Sequence, residues 1–281
     1  MEVVFNDVSY LYDNNSTGLK DINVILKSNL IHGIIGQIGS GKSTFLELMN
    51  GVLKPSKGEI LIGDYNLNRK DFNFNKFRYD VGIVYQFPEN HFFSSTVAKE
   101  ISFSSNALNN KKVKKRLVDV LKIVGLDESY LKRNPLKLNG GEKRLIAIAS
   151  VLISNPKVLI LDEPTIGLDL KSKKRLINIL KKLKTNHLKT IIIVTHDIDM
   201  AYELCDSIVL LNNGRLIKQG KTKDIFNDVK LLKDNSVFIP NIVKVKNYIY
   251  DITKKDLGDI KDINDLIRKV SSLKKGDDTY E

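Results

Sequence analysis

The sequence predicts an α/β protein: a parallel sheet covered by helices, a smaller antiparallel sheet, a mostly helical insertion, and a small C-terminal appendage. Three observations carry this. Short runs such as "IHGII" (31–35), "VLIL" (158–161) and "TIIIV" (190–194) are almost continuously apolar, as strands buried on both faces are. The first of them opens into a glycine-rich loop followed by a helical pattern beginning "FLELMN". Helical spacing then fills 111–124 and 142–153, between the sheet segments.

Strand-like runs bounded by Gly, Asn or Asp occur at 3–5, 31–35, 59–62, 81–85, 158–161, 190–194 and 207–211. The first and third alternate more than the rest, which suits the antiparallel sheet. "LLNNGRLIKQG" (210–220) reads as strand, Asn-Gly turn, strand. After about residue 230 the character changes. "VFIPNIVKVKNYIY" has the composition of strands, and Ile263, Leu266, Ile267 and Val270 fall on one helical face. The chain is expected to divide into residues 1–230, with a helical part at about 90–156, and an appendage at 231–281. No internal repeat or sustained heptad is apparent.

With 281 residues, 42% of them hydrophobic, the chain can bury a full core. Its longest apolar runs fall far short of the ~18–20 residues that cross a bilayer, and "MEVVFNDVSY" lacks the pattern of a secretory signal. Cytosolic residence is the expectation. Cys205 stands alone, which excludes an intrachain disulfide and favours an inert thiol. The net charge of +12 has two readings: a surface for an anionic partner, or a bias toward Lys along the whole chain in which runs such as "KKVKKR" (111–116) are solvated helix faces.

"GQIGSGKST", from Gly36 to Thr44, fits G-x-x-x-x-G-K-[ST] with a strand before it and a helix after it. The glycines Gly36, Gly39 and Gly41 let the backbone curl so that N–H groups, including that of Ser40, point at phosphates, and the helix N-terminus adds partial positive charge. Lys42 is expected on the outer phosphates, and Ser43 on Mg²⁺. "VLILDEP" ends an apolar strand in two acids. Asp162 is assigned to the Mg²⁺ shell, and Glu163 to polarising the attacking water as general base.

With those motifs placed, residues 1 to about 225 resemble the nucleotide-binding subunits of ABC transporters. The resemblance implies ATP as ligand, a RecA-like core, and a signature sequence, here "LNGGEKR" (138–144). In that family the signature caps the ATP held by a second subunit, so Asn139, Gly140, Gly141 and Glu142 are expected on a partner's nucleotide. The commonest form is LSGGQ; an ionised Glu142 cannot donate a hydrogen bond and adds negative charge near a triphosphate. The resemblance further implies that "IGLD", ending at Asp169, communicates across the dimer and that His196 lies against the γ-phosphate. It also implies that Gln86 touches Mg²⁺ and the water, and that Tyr12 stacks on adenine. Tyr10 is the alternative, since alternation puts both tyrosines on one strand face.

"QFPENHFFSSTVAKEISF" (86–103) resembles the pattern of energy-coupling factor (ECF) type ATPases, which drive import of vitamins and transition-metal ions; His91 and Ser104 depart from its commonest form. That resemblance implies a second ABC ATPase subunit, an integral membrane subunit and a substrate-binding membrane subunit as partners. It implies a peripheral position at the cytoplasmic face of the cell membrane and no nucleic acid. Phe92 and Phe93 either form a docking face after Pro88 or pack into the helical insertion. Two other classes compete with this reading. A nucleic-acid ATPase would carry a long coiled coil between Lys42 and Asn139, which the sequence lacks; a partner subunit impaired in hydrolysis would be marked by Glu142.

Overall fold

The computed structural model describes residues 1–69, 71–103, 110–187, 189–260 and 262–277. Ser104 and the side chains of 111–114 in the basic run lie outside the described residues. Ten strands are present among the described residues: β1 (Val3–Leu11), β2 (Thr17–Leu26), β3 (Ile31–Ile35), β4 (Lys57–Ile62), β5 (Tyr65–Asn66), β6 (Val81–Val84), β7 (Val158–Asp162), β8 (Thr190–Val194), β9 (Ser207–Asn212) and β10 (Arg215–Lys221). They form two sheets. One is antiparallel, in the order β2-β1-β4-β5; the other runs β10-β9-β3-β8-β7-β6, parallel except for β10.

The alternate residues of the parallel strands enter different cores, as the period of two requires. Val158, Ile160, Ile192 and Val194 face the antiparallel sheet, together with Val3, Phe5, Ile22 and Ile60. Between the sheets lies α1 (Lys42–Met49), whose Phe45 stacks on Phe5 at 4.2 Å. Leu159, Leu161, Ile191 and Ile193 face the helices on the other side. After α2 (Phe74–Asp80), the insertion comprises a 3₁₀ turn at Pro88–His91, α3 (Val97–Phe103), α4 (Asn110–Ile123) and α5 (Gly140–Leu152). Then come α6 (Leu170–His187), α7 (Ile198–Leu204), α8 (Thr222–Phe226) and α9 (Val229–Asp234).

Three expectations need revision or sharpening. The strand at 3–5 extends to Leu11, and β2 was missed, because bulges interrupt both: register shifts fall between Phe5 and Val8, and Asp7 and Asp21 have φ of 50° and 51°. A bulge breaks the alternation by which strands are recognised. The stretch from 237 to 250 contains no strand. Residues 241–250 belong instead to helix α10 (Asn241–Thr253), which follows Pro240. Val243 is buried there, and Ile242 and Ile249, seven apart, pack on a cluster of Leu257, Ile260 and Leu266. Tertiary packing of that face overrides the β-propensity of the Val and Ile residues. The last helix, α11 (Ile263–Asp277), is the one expected from its spacing.

The C-terminal helices are fastened to the core through α7, and Leu232, Val237 and Val243 belong to the main core, so the boundary expected at 230/231 falls inside α9. Asp199 accepts from the Asn241 amide at 2.7 Å and from its side chain at 2.6 Å, and the Tyr202 hydroxyl donates to the Ile260 carbonyl at 2.9 Å. Some of the basicity is locally matched: Lys157, Lys181, Lys184 and Lys218 pair with Asp80, Glu203, Asp206 and Asp228. No described helix is long and apolar enough to cross a membrane.

Candidate nucleotide site

The phosphate loop joins β3 to α1, at the C-terminal edge of the parallel sheet. Gly41 precedes α1 with φ 99° and offers no side-chain cap to it, so the first N–H groups of the helix are left for a ligand. A Cβ at Gly41 would lie 2.9 Å from the Gly18 carbonyl and 2.7 Å from Leu19, which excludes any larger residue. Gly39 faces open space. The Ser40 hydroxyl is buried without a partner among the described residues and lies against Gly36, where a Cβ would come within 2.5 Å of it. Lys42 Nζ donates to the carbonyls of Gly36 (2.8 Å) and Gln37 (2.7 Å), and burial lowers its ammonium below the ordinary lysine value, against the pull of Glu163 and Asp162. Ser43 is exposed on the first turn of α1.

The loop is held from behind by the β9–β10 turn. Asn213 and Gly214 have φ of 48° and 70°, the pair a tight Asn-Gly hairpin demands. The Gly214 amide donates to the Ser40 carbonyl at 3.1 Å, and its own carbonyl accepts from the Lys20 amide at 2.8 Å. Nothing in the sequence pointed to that support.

Strand order sets β8 beside β3, then β7, then β6, so the ends of all four lie along one edge of the sheet. Asp162 closes β7, opposite Val194. Burial, then the charge of Glu163, raises its carboxyl above the ordinary aspartate value, against Lys42. Glu163 follows in a left-handed conformation, φ 45°, which costs an L-residue roughly 1–2 kcal/mol and is held by several bonds. Its amide donates to the Val194 carbonyl at 2.8 Å; Oε2 accepts from the Thr195 hydroxyl at 2.9 Å; Oε1 accepts from the His196 amide at 3.0 Å and lies 2.7 Å from His196 Nδ1. Thr195 was missed by the sequence reading, although it adjoins His196. Gln86 lies two residues past β6, exposed.

Tyr12 and Tyr10 meet edge to face at 4.9 Å, on one side of the strand as alternation implied. The Tyr12 hydroxyl is 2.7 Å from that of Thr44, which ties its ring to α1, and Tyr12 is the more exposed of the two. Gly18 makes room for both rings: a Cβ there would lie 2.9 Å from Tyr12 and 3.1 Å from Tyr10.

Asn139 to Glu142 lie elsewhere. Asn139 is the N-cap of α5: Oδ1 accepts from the Glu142 amide at 2.9 Å, while Glu142 Oε2 accepts from the Asn139 amide at 3.1 Å, a reciprocal capping box. Glu142 Oε1 accepts from the Tyr130 hydroxyl at 2.6 Å. Both carboxylate oxygens are thus engaged within the insertion. Gly140 is open, and the cavity beside it, about 490 Å³, is lined by Gly141, Gly167, Asp169, Lys171 and Arg175 and by no residue of the phosphate loop. Phe92 packs on the core while Phe93 is 64% exposed, edge-on to Phe103 at 4.8 Å, so the pair divides between packing and surface. Cys205 is buried, and burial pushes its thiol well above the ordinary value.

A phosphate loop on a central strand, with an acidic strand end beside it, defines a P-loop nucleoside triphosphatase. The chain belongs to the ABC transporter family, whose profile matches residues 19–166, and within it to the energy-coupling factor transporter ATPases. It is 37% identical over 278 residues to the energy-coupling factor transporter ATP-binding protein EcfA3 of Oenococcus oeni, covering 96% of each chain. It is 36% identical over 251 residues to EcfA2 of Caldanaerobacter subterraneus, covering 87% of this chain and 88% of that one. Among solved structures it resembles cbiO1 from Clostridium perfringens, part of the ABC transporter complex cbiONQ (35% identity, TM-score 0.77, 87% and 98% covered). It also resembles the dimeric ATP-binding cassette MJ0796 bound to ADP and Pi (31% identity, TM-score 0.68, 78% and 98% covered). The chain is an ATP-binding ABC ATPase whose hydrolysis is coupled to transport.

Proposed function

We propose that residues 1–230 work as one half of an ATP-dependent clamp that powers import of a vitamin or transition-metal ion, with 231–281 as an appendage to it. The observation that carries this reading is the separation of the two half-sites: the signature cavity contains none of the phosphate loop. The γ-phosphate held by Gly36–Thr44 therefore needs Asn139, Gly140 and Gly141 of a second ATPase, identical or related.

Within each half, Gly39, Ser40, Gly41 and Thr44 would cradle the phosphates through α1, with Lys42 leaving its two carbonyls for the outer phosphates, and Tyr12 would cover the base. Mg²⁺ would be held by Ser43, Asp162 and Gln86 together with phosphate oxygens and water, the mixed oxygen set this ion takes. When bound it neutralises charge on the transferred phosphoryl group. The buried carboxyl of Asp162, flanked by Glu163, is a fitting place for a cation. Glu163, fixed by Thr195 and His196, would accept the proton of the attacking water, and His196 would meet the γ-phosphate.

Membrane subunits would dock at the groove of about 640 Å³ between α2, β6 and α5, lined by Asn50, Arg78, Tyr79, Tyr85 and Val151. The adjoining recess, which shares Tyr85 and Val151, is lined by Phe92 and Phe103, and the exposed Phe93 lies edge-on to Phe103. Docked there, the chain would be peripheral, at the cytoplasmic face. The test is assembly: co-expressed with the genes beside its own, the chain is expected to copurify with a membrane subunit and to form an ATP-dependent pair on gel filtration. A chain that stays monomeric with ATP, alone and with every associated ATPase, overturns the reading.

A further inference from the structure

Arg144 lies two residues past Glu142 on α5, almost wholly buried. Its position is odd. Nη2 reaches the Ile166 carbonyl at 3.4 Å and Glu89 Oε1 at 3.8 Å, while Nε, Nη1 and Glu89 Oε2 are buried without partners among the described residues. Burial lowers the guanidinium below its ordinary value, and Glu89 opposes that shift. A buried arginine normally fills its fork with paired bonds of about 2.7–2.9 Å. Packing alone does not call for charge here, since an apolar side chain of similar volume would fill the space as well or better.

What the pair does have is reach across three functional segments. Arg144 stands on the signature helix, Glu89 on the 3₁₀ turn that follows Gln86, and Ile166 on the loop that follows Glu163. The contacts are long by less than about 1 Å against ideal geometry, so a small approach of the turn to α5 would convert one loose contact into a two-pronged one. Two of the three buried orphan atoms, Glu89 Oε2 and one of the guanidinium nitrogens, would gain a partner in the same movement. Such a set of orphan groups favours the closer arrangement strongly and discretely.

We infer that Arg144 and Glu89 are a positioning pair that makes the Gln86 turn and the signature helix move as one body, tightening as the signature engages a partner's nucleotide. The tightening step rests on the clamp reading above; the linkage between turn and helix does not. Neither residue touches the reacting atoms. Their role is to make the occupancy of the signature known to the loop beside the membrane-facing groove.

The linkage is tested on the full chain by hydrogen exchange, without nucleotide. Glu89→Gln is expected to raise exchange in residues 139–146 by about fivefold or more, and Arg144→Lys to do the same in residues 86–93, the reciprocity that coupled segments require. Exchange that changes only in the segment carrying the substitution overturns the linkage. Turnover in the assembled ATPase then separates positioning from structure. Glu89→Leu with Arg144→Met is expected to keep the melting temperature and the KM for ATP, yet lose about tenfold or more in kcat, because a misplaced catalytic loop costs rate rather than binding. Wild-type kcat in that double variant overturns the proposal; if it does not fold, the partly exposed Glu89→Gln supplies the same kcat and KM comparison. Absence of ATP-dependent pairing in the wild type would instead mark failure of the clamp reading.

Discussion

Glu163 and His196 meet through a single oxygen: Oε1 of the carboxylate takes the histidine amide at 3.0 Å and lies 2.7 Å from its ring nitrogen. The carboxylate is thereby fixed at the sheet edge beside Asp162 and the phosphate loop. For Glu163→Gln, ATP affinity is expected to stay within about threefold while turnover drops by about two decades or more. Phosphate release and nucleotide titration measure the two; unchanged release removes Glu163 from the role of base.

Thr195 holds the other oxygen of that carboxylate at 2.9 Å and also accepts from the Asp197 amide at 2.9 Å. Thr195→Val keeps the shape and deletes both bonds. The expected cost is about 1–3 kcal/mol in stability, with kcat reduced by about three- to tenfold and KM little changed. Chemical denaturation and steady-state kinetics check it.

Gly214 supports the phosphate loop from the hairpin behind. A methyl group there would lie 2.8 Å from the Gly18 carbonyl, at a φ of 70° that strains any L-residue. Gly214→Ala should lower stability by about 1–3 kcal/mol and weaken ATP binding severalfold, since the strained turn displaces the amide that donates to the Ser40 carbonyl. Binding equal to wild type would show that the loop holds its shape without the turn.

Asn139 caps α5 through the Glu142 amide. Asn139→Ala is expected to destabilise the chain by about 1 kcal/mol, even without nucleotide. Glu142→Gln should cost less, because the amide oxygen can still accept from the Asn139 amide while the amide nitrogen donates to the Tyr130 hydroxyl. Thermal melts of the three proteins rank them.

Lys189 is buried, with Nζ donating to Asn155 Oδ1 at 2.8 Å and to the Pro156 carbonyl. Burial, then the charge of Arg116, against the pull of Asp80, brings its pKa down to about 8 from 10.5. Between those values the unfolded chain binds the extra proton, so the stability to unfolding contributed by this group rises with pH. Below about 8 both states are protonated, and the burial cost is present in full. Lys189→Met is expected to flatten the rise from pH 8 to 10 in urea midpoints; an unchanged slope assigns it to other groups.

The parallel core was legible because its strands are apolar on both faces, and the phosphate loop because its residues are adjacent in the chain. What escaped was built from distant residues or from irregular backbone. β2 was hidden by the bulge at Asp21, and α10 by Val and Ile residues whose side chains pack at helical spacing. Thr195, Gly214 and Arg144 act through partners 32, 174 and 55 residues away, respectively Glu163, Ser40 and Glu89, and no local pattern marks such contacts. Tyr12 and Tyr10 could be paired from alternation alone, but the anchoring of Tyr12 to Thr44 could not.

Helix α1 begins at a glycine that supplies no side chain to quench its first amides, and a buried hydroxyl next to it is also unquenched. The cell's own fuel would therefore complete the fold: bound triphosphate acts as the missing stopper of that helix and stabilises the whole domain by RT ln(1 + [L]/Kd). A starved cell would then be left with a less durable motor.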